Sequence, residues 1–426
     1  RPRDWSSDVC SSDLNPVTDG ADMERTILHC DCNSFFASVE CVSRPELKNV
    51  PMAVCGDPLS RHGIILAKNE PAKKFGIKTA ETIWQAKRKC PELALVPTHF
   101  DMYREYYKII NEIYCRYTDL VEPFSIDESW LDVTGSRMLF GGGKKIADEL
   151  RAKVKNETGI TISAGVSFNK IFAKLGSDYK KPDATTVISR ENYKDIVFPL
   201  PVNALMFCGS KVSQSLGLLG IRTIGELAAA DGRFLYEKLG KAGTMLHSYA
   251  NGGDMSRVRP FGEVREIKSV GNSITFKRDI SGVQEIKKGI YALSDSVASR
   301  MRAKGVKCWV VQAGVKDPNF KTVSRQKTLS APTCISKEVS AAAMELVASF
   351  WNMNAPVRLL SVTCTSLIPS DASCEQLCFF GGGRPFDRAR EEKLEKTVDS
   401  IRAKYGGSAV KPCGLLNDDI GFTKIK

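Results

Sequence analysis

The chain has 426 residues, of which 42% are hydrophobic and 26% are charged. This length predicts about three domains, and the apolar content excludes a wholly disordered protein. No apolar run reaches the roughly 18 residues that a membrane-spanning helix needs, so we expect no membrane partner.

Cysteine and histidine usage argues against two further classes of protein. The 14 cysteines form no Cys-x-x-Cys pair, and only four histidines are present. Structural zinc sites need closely spaced Cys or His ligands, and disulfide scaffolds are typical of small secreted domains. We therefore expect free thiols in a reducing cytoplasm and no structural zinc.

Positive charge is concentrated in one part of the chain. The net charge is +12, and between residues 255 and 369 Lys and Arg outnumber Asp and Glu by 18 to 8. A region charged in this way predicts a polyanionic partner, with DNA or RNA as the first choice. A basic surface that serves only solubility stays open as the alternative.

The N-terminal segment differs in composition from the rest of the chain. Residues 1–22 are rich in Ser, Asp and Pro and lack periodicity, so we interpret them as a disordered or non-native lead-in before Met23. From Met23 to residue 198, short apolar strands alternate with amphipathic helices, which predicts one α/β domain. The predicted strands cover residues 26–31, 51–55, 63–67, 121–134 with an internal turn, and 160–166. The predicted helices cover residues 33–41, 82–90, 101–118, 144–155 and 170–178, with a further one around Ala72. The first of them is expected to have its cap at Asn33 or Ser34.

Residues 199–254 have a different pattern, in which short helices are broken by Gly-centred turns. One turn contains Gly209 and Lys211, and another contains Gly240, Lys241 and Gly243. A glycine turn at a helix N-terminus exposes backbone N–H groups that bind phosphate without reading the base sequence. Ordinary connections between helices are the alternative.

The last part of the chain begins with a basic linker at residues 255–265. Residues 266–369 then have the order strand, helix, strand, strand, helix, strand, which predicts a small α+β domain. Residues 370–426 combine a polar linker, an apolar motif at 376–380 and a charged helix over 386–404. The sequence as a whole predicts a multidomain α+β protein.

Three carboxylates point to metal chemistry. Asp31 ends the first predicted strand, and Asp127 and Glu128 are adjacent within a strand-turn-strand. Neighbouring carboxylates repel each other unless a cation offsets the charge, and oxygen ligands without His or Cys favour Mg²⁺. Magnesium held by a few carboxylates is typical of nucleotidyl transfer with two ions. A solvated turn is the alternative for any Asp–Glu pair taken alone.

The residues around these carboxylates resemble a known family. The motifs D-C-N-S-F-F-A-S-V-E at 31–40 and S-I-D-E-S-W-L-D-V at 125–133 are similar to those of the Y-family, translesion DNA polymerases, above all the bacterial DNA polymerase IV (DinB-like) branch. The resemblance extends over residues 23–415. Supporting motifs are A-K-K-F-G-I at 72–77, S-A-G-V-S at 163–167, N-K-I-F-A-K at 169–174 and Lys181-Pro182.

The resemblance implies a metal site. Asp31, Asp127 and Glu128 match the family's metal-binding carboxylates, which hold two Mg²⁺ ions. The backbone carbonyl of Cys32 matches an additional ligand. These four residues are therefore the expected catalytic centre.

The resemblance also implies a nucleotide site. Phe36 matches the steric gate, whose ring clashes with a 2′-hydroxyl, and Phe35 lies beside it in the same motif. Lys73 and Lys181 match positions that hold the triphosphate. This chain departs from the family at Glu70, where many members have Tyr, and at Lys73, which replaces a common Arg. A carboxylate at Glu70 donates no hydrogen bond to phosphate, so we leave it out of the site.

The implied domain plan assigns the palm with inserted fingers to residues 23–198, the thumb to 199–254 and the little finger to 266–369. The implied reaction is template-directed addition of a deoxynucleoside triphosphate to a primer 3′-hydroxyl, carried out by a monomer in the bacterial cytoplasm at the nucleoid. Candidate contacts to primer–template DNA are Gly209, Lys211, Gly240, Lys241, Gly243, Lys277, Arg278 and Arg325. A non-catalytic DNA-binding protein on a polymerase scaffold and another palm-domain enzyme, such as a nucleotide cyclase, stay open.

A further motif predicts a protein partner. Gln376, Leu377, Phe379 and Phe380 resemble the Gln-Leu-x-Leu-Phe peptide with which bacterial polymerases dock into the sliding clamp, with Phe379 in place of the usual Leu. Large apolar side chains after a polar linker are costly unless a partner buries them. The alternative is that the two phenylalanines pack onto this protein under the helix at 386–404.

Overall fold

The computed structural model describes residues 24–58, 63–264, 266–372, 388–411 and 421. These residues form two compact units, which divide between residues 263 and 264. The predicted lead-in at 1–22 and the clamp-like motif at 376–380 lie outside the described residues. Within the described ranges, no helix combines the length and the apolar character that crossing a bilayer requires.

The first unit contains two sheets and twelve α-helices among its described residues. Its strands are β1 (Ile27–Cys32), β2 (Met52–Cys55), β3 (Ile65–Lys68), β4 (Ala94–Pro97), β5 (Val121–Pro123), β6 (Glu128–Asp132), β7 (Ile162–Ser167) and β8 (Thr185–Ile188). Its helices are α1 (Phe35–Ser43), α2 (Glu70–Lys74), α3 (Ile83–Lys89), α4 (Phe100–Cys115), α5 (Arg137–Phe140), α6 (Gly143–Thr158), α7 (Lys170–Tyr179), α8 (Tyr193–Val197), α9 (Ser210–Leu218), α10 (Ile224–Ala229), α11 (Gly232–Leu239) and α12 (Lys241–Ala250), with 3₁₀ turns at Pro45–Lys48 and Val202–Ala204.

The larger sheet places the acidic motif residues. Its order is β5-β6-β1-β7-β8, and β1 pairs antiparallel with both β6 and β7. Successive side chains of a strand point to opposite faces: Leu28 and Cys30 join the core formed with α4 and α6, while His29 contacts Ser177 of α7. Both faces of β1 are covered, which explains why all six of its residues are buried.

One glycine sets how closely α7 lies on this sheet. A Cβ atom on Gly165 of β7 would lie 1.9 Å from the carbonyl oxygen of Ala173 and 2.4 Å from the backbone nitrogen of Ser177. Both partners are backbone atoms of α7 that a side chain could not displace. Position 165 therefore requires glycine.

The smaller sheet, of order β3-β2-β4, carries α2 and α3, and we call residues 52–97 the small-sheet module. The side chain of Asn69 caps α2 by accepting from the backbone N–H of Ala72. Thr82 and Gln85 form a capping box at the start of α3. Both caps satisfy N–H groups that have no partner inside a helix.

Helices α8 to α12 have the short, Gly-interrupted pattern expected from the sequence. Gly209 precedes α9, and Gly240 ends α11 and precedes α12 with a φ of 62°. A capping box of Thr223 and Glu226 begins α10, and Asp231 caps α11. The prediction of helices connected by glycine turns is confirmed here.

The second unit contains β9 (Ser269–Ile280), α13 (Val283–Ala303), β10 (Val306–Lys316), β11 (Thr322–Thr333), α14 (Ser336–Phe350), β12 (Val357–Pro369) and α15 (Arg388–Tyr405). The sheet order is β11-β10-β12-β9 with antiparallel neighbours, and α13 and α14 share its apolar core. The predicted order of strands and helices is confirmed.

Helix α15 contacts the rest of this unit through a series of ion pairs, and none of its residues is buried. Arg302 of α13, only 4% exposed, is bound by Glu395 and Asp399 of α15. Glu395 also accepts from the backbone N–H of Ser336 at 2.9 Å, which caps α14. Further ion pairs along the same helix are Lys307–Glu392, Arg388–Glu338 and Arg402–Asp295.

Two predicted details near the acidic residues are confirmed. The helix predicted at 33–41, with its cap at Asn33 or Ser34, begins at Phe35 with Ser34 as its N-cap, although Ser34 has a left-handed φ of 51° and its side chain makes no capping hydrogen bond. The strand-turn-strand predicted over 121–134 is formed by β5 and β6, and Asp127 lies in the turn between them.

Candidate active site

The site is built where β1 and β6 run side by side. Asp31 is directly opposite Glu128 in the antiparallel register. The backbone N–H of Cys32 donates to the carbonyl of Asp127 at 2.9 Å, so the turn that carries Asp127 is attached to the end of β1. Residues that are far apart in the sequence are thus adjacent in the fold.

Asp31 is buried and paired with a lysine. Its Oδ2 accepts from Lys181 Nζ at 2.7 Å, and Lys181 also pairs with Asp178 at 2.7 Å. Burial raises the pKa of Asp31 to about 7, with Lys181 acting in the opposite direction and the charge of Glu128 adding to the rise. A carboxylate in this position favours a cation beside it.

Glu128 also holds a lysine. Its Oε2 lies 2.7 Å from Lys174 Nζ and 3.5 Å from His29 Nε2. Burial alone would raise the pKa of Glu128, but His29 and Lys174 outweigh burial and keep that pKa well below its usual range. His29 is fully buried, and its Nδ1 lies 2.8 Å from Ser177 Oγ on α7.

The carboxylate of Asp127 does not share a partner with those of Asp31 and Glu128 but bonds to a residue of its own turn. Its Oδ1 accepts from the Ser125 hydroxyl at 2.5 Å within the turn. Across the residues that the structure describes, no three His, Cys, Asp or Glu side chains lie close enough together to hold a metal ion. The structure therefore brings Asp31 and Glu128 together and leaves the Asp127 side chain beside Ser125.

The chemistry of these donors fits a hard divalent cation. Asp31, Asp127, Glu128 and the Cys32 carbonyl offer only oxygen, which Mg²⁺ prefers. Lys181 and Lys174 place ammonium groups on the two facing carboxylates, so both already bind positive charge.

Aromatic rings line α1 and α4 beside these carboxylates. Phe36 stacks on Tyr103, with centroids 4.4 Å apart, and Phe100 meets Phe36 edge-on at 5.9 Å. Phe35 is buried and packs next to Phe36 at 5.8 Å. The Phe36 ring is half-buried, so one part of it remains accessible.

The buried carboxylate of Glu40 fixes the Phe36–Tyr103 stack. The sequence analysis did not single it out. Glu40 is 1% exposed and accepts from the Tyr103 hydroxyl at 2.5 Å. His99 Nδ1 lies 2.7 Å from Glu40, and Arg44 binds its other oxygen. The available signal was the position of Glu40 four residues after Phe36, one helical turn away.

The two candidate triphosphate lysines have different surroundings. Lys181 lies in the carboxylate site, whereas Lys73 is exposed and pairs with Glu70 at 2.6 Å. The negative charge of Glu70 is therefore neutralised by Lys73, which lies on the same helix. Asn69, to which the sequence assigned no role, is buried. Its side chain accepts from the backbone N–H of Met52 and donates to the carbonyls of Leu47 and Val50, which fixes the start of α2 against the segment before β2.

The candidate DNA contacts have mixed surroundings. Lys211 and Lys241 are exposed at the starts of α9 and α12. Gly243 has a packing role, because a Cβ there would lie 2.2 Å from the carbonyl oxygen of Leu235. In the second unit Lys277, Arg278 and Arg325 are exposed; Arg278 pairs with Glu285, and Arg325 lies 6.0 Å from the Phe350 ring.

Comparison with known proteins identifies the family of this chain. Residues 30–178 match the impB/mucB/samB family, and residues 267–377 match its C-terminal domain. DNA polymerase IV of Acetivibrio thermocellus is 45% identical over 403 residues, covering 95% of this chain and 100% of that protein. DNA polymerase IV 1 of Bacillus subtilis strain 168 is 36% identical, covering 94% and 95%.

A solved structure supports the fold. A Y-family DNA polymerase chimera, Dbh-Dpo4(243-245)-Dbh, matches with a TM-score of 0.71 and 24% identity, covering 81% of this chain and 99% of the chimera. The predicted multidomain α+β fold is thereby confirmed, as is the resemblance based on the two acidic motifs. The chain belongs to the Y family of DNA polymerases, in its bacterial DNA polymerase IV, DinB-like branch.

Proposed function

We propose that Asp31, Asp127 and Glu128, with the Cys32 carbonyl, hold two Mg²⁺ ions in this enzyme. The chain is a DNA-directed DNA polymerase of the translesion type, and its relatives favour a catalyst over a non-catalytic DNA-binding protein. Polymerases of this family depend on metal ions. The number and kind of ions, and the residues that hold them, are our assignment.

One observation carries the assignment: Asp31 and Glu128 face each other across paired strands, each with a lysine on its carboxylate. Asp31, Asp127 and Glu128 would hold the ions, which when bound would supply activation of the primer 3′-hydroxyl and charge neutralisation on the triphosphate. The protein's part is to hold the carboxylates at fixed positions. Strand pairing fixes Asp31 and Glu128, and the Cys32–Asp127 backbone hydrogen bond fixes the turn.

Phe36 would act as the steric gate, with Phe35 behind it. Its ring is held by Tyr103 on one side and by the edge of Phe100, so it cannot easily yield to an additional 2′-hydroxyl. A rigid obstacle discriminates against a ligand that is larger by one oxygen. This assignment requires the deoxyribose to lie against the accessible part of the ring.

Lys181 and Lys73 would bind the triphosphate. Lys181 lies beside Asp31, so a bound phosphate would meet it close to the proposed metal ions. Lys73 would exchange its pairing with Glu70 for phosphate, and the cost is small because that pair is exposed.

Primer–template DNA would be held mainly through its phosphates. The expected contacts lie at the glycine turns before α9 and α12 and on the basic second unit, which correspond to a thumb at 199–254 and a little finger at 266–369. Residues 23–198 would form the palm and fingers. The residues assigned to DNA are Gly209, Lys211, Gly240, Lys241, Gly243, Lys277, Arg278 and Arg325.

The motif Gln376, Leu377, Phe379 and Phe380 would dock into the bacterial sliding clamp. Its support is the sequence pattern alone, because these residues lie outside the described ranges. The enzyme would act as a monomer in the cytoplasm, at the nucleoid. A peptide of residues 373–383 should bind the clamp, and Gln376→Ala combined with Phe380→Ala should abolish that binding.

The decisive experiment is primer extension in Mg²⁺ by the full chain. We expect Glu128→Gln, Asp127→Asn and Asp31→Asn each to reduce kcat by several orders of magnitude and to leave primer–template binding in place. Leu139→Ala, an exposed change on α5, serves as the control. Near wild-type extension by Glu128→Gln would show that the metal site has been misplaced.

A further inference from the structure

We propose that His29 positions the Glu128 carboxylate for metal binding, with the ring proton on Nε2 facing Glu128 and with the hydroxyl of Ser177 donating to Nδ1. This rests on the proposed function, since Glu128 is one of the carboxylates that we assign to the metal ions. His29 on β1 and Ser177 on α7 supply no ligand themselves. They would act on the ions only through the position of Glu128.

His29 is a polar ring where the fold otherwise places apolar side chains. It is fully buried in β1, and so are Leu28 and Cys30 on either side of it. A buried polar group is costly unless it is hydrogen-bonded. Both ring nitrogens therefore need partners, and a fully buried ring favours the neutral form, which has a single N–H to place on one of them.

The partner of Nδ1 is the hydroxyl of Ser177. The Oγ atom lies 2.8 Å from His29 Nδ1 and 2.8 Å from the carbonyl oxygen of Lys174. A serine hydroxyl has one proton, so it donates either to the ring or to that carbonyl. If it donates to the ring, the proton of His29 is on Nε2; if it donates to the carbonyl, the proton of His29 is on Nδ1.

Glu128 decides between these two arrangements. Its Oε2 lies 3.5 Å from His29 Nε2, a nitrogen that has no hydrogen-bond partner among the described residues. A bare Nε2 would direct its lone pair at a negatively charged oxygen, whereas an N–H directs positive charge at it. The separation is longer than an ordinary hydrogen bond, so the N–H acts on the carboxylate as an oriented dipole.

The carbonyl of Lys174 does not need the serine proton. It lies inside α7, where the backbone N–H four residues further on, that of Asp178, is its helical donor. The Ser177 hydroxyl is thus available to Nδ1. Both nitrogens of His29 have favourable partners only when Nε2 carries the proton.

Trp130 keeps the ring directed at Glu128. It is opposite His29 in the register of β1 and β6, and it follows Glu128 by two residues, so it lies on the same face of β6. Its ring meets His29 edge-on with centroids 5.3 Å apart, and its Nε1 donates to the Lys170 carbonyl at 3.1 Å. His29 is therefore enclosed between β6 and α7 and has little room to turn.

Both neighbours of Glu128 act on the same oxygen. Lys174 Nζ lies 2.7 Å from Oε2, the atom that His29 faces, and Oε1 has no protein partner in the described part of the chain. One oxygen is thus held and the other is left for a cation. The two neighbours differ, because Lys174 brings a full charge that repels a metal ion, whereas a neutral His29 orients the carboxylate without that repulsion.

Nitrogen-15 NMR of the full chain, labelled at its four histidines, reports the position of the ring proton without any catalytic step. We expect His29 to carry its proton on Nε2, and its signals are identified by their loss in His29→Gln. Ser177→Ala should shift the Nδ1 signal, because that nitrogen loses its donor. Ser294→Ala, which removes a buried hydroxyl of the second unit, should leave the signal in place. A proton on Nδ1 in the wild type would overturn the proposal.

The binding of Mn²⁺ measures the effect on the metal site. Electron paramagnetic resonance gives its Kd for the full chain on a primer–template whose primer ends in a dideoxynucleotide, with the matching deoxynucleoside triphosphate. His29→Leu should raise this Kd by roughly 10- to 100-fold, the usual cost of losing a group that orients a metal ligand. His29→Gln, whose amide supplies an N–H of similar reach, should recover most of the affinity, and Ser294→Ala should keep all of it.

An unchanged Mn²⁺ Kd in His29→Leu would contradict the proposal. Should that variant fail to fold, Ser177→Ala replaces it, with a smaller rise expected and an unchanged Kd again contradictory. Glu128→Gln separates this inference from the proposed function. If Glu128→Gln leaves the Kd of Mn²⁺ unchanged, the metal assignment fails; if it weakens binding and the His29 and Ser177 variants do not, only the role of His29 fails.

Discussion

The ring of Phe36 lies nearly parallel to the ring of Tyr103, with centroids 4.4 Å apart and planes inclined by 17°. Tyr103 is itself fixed, because its hydroxyl donates to the buried carboxylate of Glu40. The proposed steric gate on α1 thus rests against a side chain of α4, whose position depends in turn on an acid of α1. Two helices hold each other in register at the place where sugar selection would occur.

Removal of the gate ring should admit ribonucleotides. In Phe36→Ala the 2′-hydroxyl no longer meets a ring, so we expect the ratio of kcat/KM for ribonucleotides to that for deoxynucleotides to rise by roughly 10- to 200-fold, the discrimination that a pocket gains from excluding one group. Single-nucleotide incorporation with both substrates measures this ratio. An unchanged ratio would mean that another side chain guards the sugar.

The network at Glu40 should make stability depend on pH. Burial would raise the pKa of Glu40, but hydrogen bonds from Tyr103, His99 and Arg44 outweigh burial and hold it below the ordinary 4.5. The unfolded chain then binds the proton more tightly, so this contribution is complete above about pH 5 and is lost as the pH falls through the folded-state value. Urea unfolding should show a steeper loss for the wild type than for Glu40→Gln, and parallel pH profiles would contradict this account.

A strained phenylalanine should be replaceable with a gain in stability. Phe207 has a φ of 68° and is 58% exposed in the turn before α9. Relief of left-handed strain, roughly 1–2 kcal/mol, exceeds the roughly 0.5–1 kcal/mol by which glycine favours the unfolded chain. We therefore expect Phe207→Gly to raise the free energy of unfolding in urea. Phe207→Ala is the control, because it removes the ring and keeps the strain; a loss of stability in Phe207→Gly would show that the ring's contact with Tyr249 matters more.

The attachment of α15 should depend on one arginine. Arg302→Met leaves Glu395 and Asp399 without their shared cation, and breaking a buried pair costs about 3–5 kcal/mol. We expect the amides of α15 to exchange hydrogen much faster, because the helix has no buried apolar residue to hold it. Lys396→Met, at an exposed position of the same helix, should leave exchange unchanged. Equal exchange in both variants would mean that α15 is held by other contacts.

The sequence contained enough to predict the family and the fold class, because these depend on short motifs and on local periodicity. It also singled out three carboxylates, whose role as a metal site stays a prediction. It did not contain the partners of those carboxylates. Lys181 and Asp31 are 150 positions apart, and Lys174 and Glu128 are 46 apart. Such pairs become visible only when the strand order is known, since α7 must first be placed on β1.

Helix ends were predictable only where side chains determine them. The start of α3 can be inferred from Thr82 and Gln85, which form a recognisable capping box. The start of α1 is predicted only as a choice between Asn33 and Ser34 as the cap, because Ser34, which is the N-cap, takes a left-handed backbone without using its hydroxyl. Backbone geometry there is set by the turn that joins β1 to α1, and that turn depends on tertiary contacts such as the hydrogen bond from Asn33 N–H to the Thr161 carbonyl.

The absence of a side chain at Gly165 has a consequence for catalysis. Because backbone atoms of α7 occupy the space that a Cβ would need, even Gly165→Ala must push the helix away from the sheet. The same helix carries Lys174, which binds Glu128, and Ser177, which binds His29. A methyl group at this position would therefore act on the proposed catalytic carboxylate through the displaced helix, and we expect nucleotide addition to depend on a residue that supplies no chemical group to the reaction.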